Sequence, residues 1–347
     1  MMSLDQPKKP GNTEKTPRKP VAAADPAFIA SELQLALFRT DILHISDQMH
    51  ARLYGFMDDI LRSCSDIIYV ADEAEAPSAV SKMVAREHLP DNDSLIASVF
   101  MDPASLLLLF CRAWEAELVQ SWADASQCVA EYPKIWKSAE NETAADYQPL
   151  INVQSRFLKN AEMMRLDSRE FSAIQWRRIV LRLAKKMRSH NEGLDAALEE
   201  ATRTLLANHD ESQARLAQIA MFIDSRPSVA PNHASWREHG ATIFLLELAA
   251  HLDIPYDALI LASAMHNPAL FALALRSGGI EAQDIVLIMG ETPMAPFWFS
   301  SVAKAQQFAA MIAYHDPVAA NKELSAWSDN DTIAGEPVFD RWPWTMT

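Results

Sequence analysis

Apolar side chains at Ile45, Met49, Leu53, Phe56, Ile60, Cys64 and Ile67 follow one another at spacings of 4, 4, 3, 4, 4 and 3. That rhythm is one stripe of an α-helix, an a/d-type seam over about three heptads. Ser46 stands where a cap is needed. Gly55, inside the seam, costs roughly 1 kcal/mol relative to alanine; its bare Cα would let a neighbouring segment come close. Start signals of a carboxylate followed by proline occur at Asp25-Pro26 and Asp102-Pro103. They predict a helix with Leu33, Leu37 and Phe38 inward, and another from Ala104 to Trp122. Shorter helices are predicted from Pro77 through Val84 and from Ser94 to Phe100.

The pattern then changes. Helices are predicted from Pro149 to Met164, from Ser168 with Phe171, Ile174, Ile179 and Leu183 inward, from Leu194 to Asn208, from Glu211 to Ile223 and from Trp236 to Leu252. From Pro255 the units shorten: Pro255–Met265, Pro268–Arg276 and Ile280–Met289, followed by Phe297–Ala313 and Pro317–Trp327. Short helices in succession suggest a stacked, α-solenoid-like array. The expected fold is therefore all-α, an N-terminal helical bundle followed by a stacked short-helix region. The division along the chain is a disordered tail (1–24), an N-terminal helical region (25–122), an irregular linker (123–148), a C-terminal helical array (149–328) and an acidic, aromatic tail (329–347).

Glycine strengthens the all-α reading. There are eight in 347 residues, too few for turn-rich β folds or for glycine loops that cradle phosphate. No P-loop, GxGxxG, HExxH, GxSxG or EF-hand loop is present. The one glycine pair, Gly278-Gly279, follows an Ala/Leu helix and reads as a left-handed cap. The three cysteines have no CxxC spacing, which argues against a disulfide framework or zinc knuckle, and Cys64 and Cys111 read as small core residues. No apolar run is long enough to cross a bilayer, and the start has no apolar leader, so a cytoplasmic location is expected.

The net charge is −15, with +2 on residues 1–25 and −17 on the remainder. Such a chain is not expected to bind nucleic acid generally. Against that background Arg177, Arg178, Arg182, Lys185, Lys186 and Arg188 crowd into twelve residues. They could be salt-bridged to the acidic body, or dock an acidic partner. Trp342 and Trp344, beyond the last predicted helix, either fold back or meet a partner. The carboxylates Asp58, Asp59, Glu115 and Glu117 read as solvated faces, and Trp298 as a core anchor. No histidine pair has metal-ligand spacing, and no metal or cofactor is expected.

Three stretches look alike to one family: LFRTDILHISDQMHARLYGFMDDILRSCSDII (37–68), LLANHDESQARLAQIA (205–220) and LILASAMHNPALFALALRSGGIEAQDIVLIM (259–289). Together they resemble the alphaproteobacterial proteins grouped as domain of unknown function 2336. Position 50 is His50 where that pattern has arginine, and 123–148 falls outside it. The resemblance implies a bacterial, cytoplasmic, multi-helical protein and carries over no catalytic residue.

The expected function is a non-enzymatic protein-interaction or regulatory module. Arg177, Arg178, Arg182, Trp342 and Trp344 are the candidate partner contacts, and the seam of residues 45–67 is a candidate homodimer contact. One alternative is a histidine phosphotransfer module with His50 as phosphoacceptor. Another is an enzyme whose site is assembled from separate helices, around His233, Glu238 and His239.

Overall fold

The computed structural model describes residues 46–75, 92–100, 103–126, 144–189, 195–224 and 231–328. The 1–24 tail, the helices expected from Asp25 and Pro77, and the 329–347 tail with Trp342 and Trp344 lie outside them. The described residues are helical throughout, with no extended strand among them. None of their helices is long and apolar enough to cross a membrane.

Helix α1 (Asp47–Glu75) is the seam helix. The Ser46 hydroxyl caps it, accepting from the Met49 amide at 3.0 Å. Met49, Leu53, Phe56, Ile60 and Cys64 are buried. They are covered by this chain's own helices: α2 (Asn92–Val99), α3 (Pro103–Ser126), α4 (Ala144–Glu162) and α6 (Asp195–Ala207). The expected homodimer contact is thereby corrected: an a/d seam needs one apolar partner, and here the partner is intramolecular. Gly55 does admit a neighbour. A Cβ there would lie 2.4 Å from the Met164 Cβ, in the turn where α4 ends with Met164 in the left-handed region.

Helix α5 (Ala173–Arg188) starts later than expected. Asp167 caps a single 3-10 turn, Ser168–Glu170, and Ser172 with Gln175 then forms a capping box. The shift leaves Ile174 facing water, 67% exposed, rather than inward. Helices α1, α2, α5 and α6 close a ring, each packed on the next. This bundle unites helices from both sides of residues 123–148, and one continuous apolar core runs through the described residues. Helix α3 extends to Ser126 and α4 begins at Ala144, so the expected linker narrows at both ends.

A second 3-10 turn, Glu211–Gln213, leads into α7 (Arg215–Asp224). The expected helix from Trp236 to Leu252 is two, α8 (His233–His239) and α9 (Ala241–Leu252), broken at Gly240 with φ 84°. Helices α10 (Tyr256–Ala264), α11 (Ala269–Ser277) and α12 (Ala282–Gly290) stack in order. Gly279, at φ 82°, is the left-handed cap of α11, and the Ile280 amide reaches back to the Leu275 carbonyl at 3.2 Å. Every side chain from Ala269 to Leu275 is buried. A helix apolar all round must be covered all round. Accordingly α9, α10, α12, α14 (Val302–Ala313) and α15 (Pro317–Ser328) surround α11, and α12 returns to touch α8. The stack closes on itself rather than opening a concave surface. The short helix α13 (Ala295–Trp298) is separate from α14 because Ser301 caps the latter, accepting from the Lys304 amide. Trp298 is the core anchor expected, donating to the Met265 carbonyl at 2.9 Å.

Candidate functional site

A cluster of charged side chains lies in the interior. Arg112 and Glu115, one turn apart on α3, are both buried, and Glu115 is 0% exposed. The Arg112 guanidinium reaches Glu115 (3.0 Å), Glu170 on the first 3-10 turn (3.0 Å) and Asp257 on α10 (2.6 Å). Arg215, the first residue of α7, donates to both Glu115 oxygens at 2.7 and 2.8 Å, in a fork. Its Nε reaches Glu170 at 3.2 Å and its Nη1 reaches Gln154 of α4 at 3.0 Å. Gln154 donates to Thr242 of α9 at 3.1 Å, and that hydroxyl donates to Glu115 at 2.9 Å. The Arg215 guanidinium also lies 3.8 Å from the centre of the Phe157 ring. Five helices and a 3-10 turn thus meet on two arginines and three carboxylates.

Burial alone would raise the Glu115 carboxyl. The Arg215 and Arg112 charges, with hydrogen bonds from Arg215 and Thr242, outweigh it and hold the group at about 2. Burial likewise pulls on Arg215, but Glu115 and Glu170 raise it above the ordinary guanidinium value. Burial, then the Glu115 charge, pushes the Tyr256 hydroxyl well up. Burial pushes Cys64 up to about 12 and Cys111 well above the ordinary thiol value. Each of these groups is locked in one protonation state near neutrality. The arrangement joins elements. The reading of Glu115 as a solvated carboxylate is corrected here: Arg112 and Arg215 supply the two charges that permit its burial.

Tryptophans extend the same stapling. The indole N–H of Trp114 donates to Ser263 Oγ, Trp122 to the Trp236 carbonyl, Trp236 to Glu291 Oε2 and Trp176 to the Leu205 carbonyl, all between 2.8 and 3.1 Å. Glu291, buried at the end of α12, also pairs with Arg237. Arg52 of α1 is buried too, donating to the Ala161 and Ala113 carbonyls. Burial lowers it below the ordinary guanidinium value.

Depressions open on this interior. A cleft of about 50 Å³ lies over Arg215 and Glu170, edged by Arg156, Arg165 and Arg169. Arg169 is committed to Asp167. A groove of about 460 Å³ lies between α1, α3 and α4, with Arg52, Glu117, Asp124 and Glu162 on its walls. Glu117 accepts from Ser46 at 2.9 Å. Among the described residues no cluster of metal-ligating side chains occurs.

The residues singled out in the sequence are scattered. His50 is exposed in the first turn of α1. His233, Glu238 and His239 share α8, but Glu238 is exposed and His239 pairs with Glu247 of α9 at 2.9 Å, so no enclosed site joins the three. Arg182 is turned back into the molecule, donating to the Val99 carbonyl at 3.3 Å. Arg177 and Arg178 point to solvent, and they are not alone. At helical spacing, Ile174, Arg177, Arg178, Leu181, Lys185 and Arg188 form one outward stripe of α5, opposite the buried Trp176, Ile179, Val180, Leu183 and Met187. Leu181 is 45% exposed. Ile174 thus lies on the outer side of α5 and not on the inner side expected, and Leu181 lies with it.

No family model matches the chain, and no match appears among curated proteins or solved structures.

Proposed function

We propose that this protein is a non-enzymatic, cytoplasmic interaction module that grips an acidic protein surface through the outward stripe of α5. The observation that carries the reading is Ile174 and Leu181 held in water between basic side chains, with Arg177 and Lys185 lacking an acidic partner among the described residues. Exposed apolar groups ringed by arginine have the composition of an interface core rather than of a solvated helix face. The packing behind the stripe supports the same reading, since the Trp176 indole bonded to the Leu205 carbonyl and Arg182 bonded to the Val99 carbonyl tie α5 to α6 and α2. On this proposal the chain belongs with the helical family it resembles, and the described parts of the three stretches that carry the likeness lie in α1, the α6–α7 junction and α10–α12.

A photoreactive amino acid placed at Leu181 in the full chain tests this. The expected result is a discrete protein adduct that is absent from a control at Lys304, on the exposed side of α14. Arg177→Glu with Arg178→Glu should reduce the adduct about tenfold. No adduct at Leu181 above the control would remove the reading.

A further inference from the structure

Helices α5 and α6 pack side by side and carry opposite charge. Helix α5 has six basic residues and no acidic one. Helix α6 turns Glu199 and Glu200 to solvent around Arg203, with Asp195 at its start. Arg188 bonds Asp195 at 2.7 Å and ties the two helices where the chain turns back. Beyond that tie the chain runs back along α5, and the basic stripe lies beside a stripe on which Glu199 and Glu200 share the single cation Arg203 and keep a net negative charge.

We infer that α5 docks on α6 of a second copy of this chain, giving a two-fold dimer whose axis runs along the helix pair. This rests on the reading of α5 as an interface. A two-fold axis in that direction lays each basic stripe over the other copy's acidic stripe, and the contact is made twice. Ile174 and Leu181 then fall inside the contact, removed from water by the other copy's α6, whose outward positions beside the charges include the small residues Ala196 and Ala207. An anionic bilayer or a nucleic acid fits less well, because either would meet the α6 carboxylates beside the α5 arginines and be repelled by them. An isolated acidic protein would satisfy α5 and leave α6 unused.

The net charge of −15 on each copy opposes association at long range. Salt would therefore both relieve the general repulsion and weaken the local attraction, and is a poor discriminator. A reciprocal charge exchange is a good one. Sedimentation of the full chain should show a dimer. Arg177→Glu with Arg178→Glu should raise its dissociation constant at least about tenfold, and Glu199→Lys with Glu200→Lys should do the same. Mixed one to one, the two variants should form a heterodimer, since each then meets the opposite charge at both contacts. Unchanged helical circular dichroism in each variant shows that the fold persists.

A monomeric wild-type chain, or two weakened variants that fail to rescue each other, overturns the inference. The photoreactive probe at Leu181 separates the two readings. An adduct of two copies supports both. An adduct with a different protein overturns the dimer and keeps α5 as an interface. No adduct overturns both.

Discussion

The molecule fills its interior in two ways. Around α11 it uses mainly apolar groups: Leu270, Phe271, Leu273 and Leu275 on all sides of one short helix, enclosed by five others. Around α3 and α7 it buries Arg112, Arg215, Glu115 and Glu170. Apolar packing is non-directional and forgives a change of shape at constant volume. A buried ion network is directional, and removing one partner strands the rest in a medium that cannot solvate them. The first region supplies cohesion. The second sets which elements meet, because its ion pairs and hydrogen bonds hold only while α3, α4, α7, α9, α10 and the 3-10 turn keep their places.

The largest expected break in that comparison is Arg215→Leu. It leaves Glu115 with Arg112 alone and Glu170 half paired, and should cost about 3–5 kcal/mol in urea unfolding. At the apolar centre, Leu273→Met should cost less than about 1.5 kcal/mol in the same assay. Similar losses at the two positions would show that the network is not directional in the sense argued.

Acid sharpens the contrast next. The Glu115 carboxyl is held at about 2 in the folded chain against an ordinary 4.5. A depressed carboxyl stabilises the fold fully above its unfolded value and loses that contribution as pH falls toward the folded one. About 3 kcal/mol should therefore disappear between pH 4.5 and pH 2. Glu115→Gln should flatten that part of the stability profile. A profile as steep as that of the unaltered chain would place the acid sensitivity elsewhere.

These two regions were not equally legible. The all-α class, the α1 seam and the glycine cap of α11 follow from local rules of period and backbone conformation. Gly240 and Ser301 broke helices that apolar content alone had joined, because a single glycine or serine is a weak signal inside an apolar run. The ion network was missed. Its local trace was present: Arg112 and Glu115 stand at helical spacing within Leu106 to Val119, where nearly every neighbour is apolar. A charge so placed either faces the one wet side or is buried with partners, and the partners, Arg215 and Glu170, are distant in sequence. Nothing short of tertiary contact could name them. The α5 stripe was legible in its arginines and hidden in Ile174, whose side depended on whether Ser168 or Ser172 capped the helix.

A smaller effect separates local propensity from packing. Gly55→Ala should favour an isolated helix by roughly 1 kcal/mol. In the folded chain the added methyl would sit 2.4 Å from the Met164 Cβ, a contact between backbone-fixed atoms that no rotamer can relieve. The turn after α4 must move, at about 1–3 kcal/mol, so the net change should be destabilising. A stabilised variant in thermal unfolding would show that α1 and that turn are not in firm contact.

The smallest expected effect tests whether tryptophan staples behave like the network or like the apolar centre. Trp122→Phe keeps most of the ring volume on α3 and removes the N–H that donates to the Trp236 carbonyl of α8. The gap left by the smaller ring belongs to apolar packing; the orphaned carbonyl belongs to the polar account. That carbonyl retains a second claim, since the Gly240 amide donates to it at 3.2 Å where α8 ends. It is therefore left under-satisfied rather than bare, and the hydrogen-bond part of the loss should be about 1 kcal/mol. Gly240 holds φ 84° at this point, so the same carbonyl fixes both the Trp122 indole and the break between α8 and α9. Hydrogen exchange at the Gly240 amide reads that coupling. Faster exchange in Trp122→Phe, with exchange across α11 unchanged, would place the tryptophan staple with the directional interior; uniform acceleration everywhere would assign it to bulk packing instead.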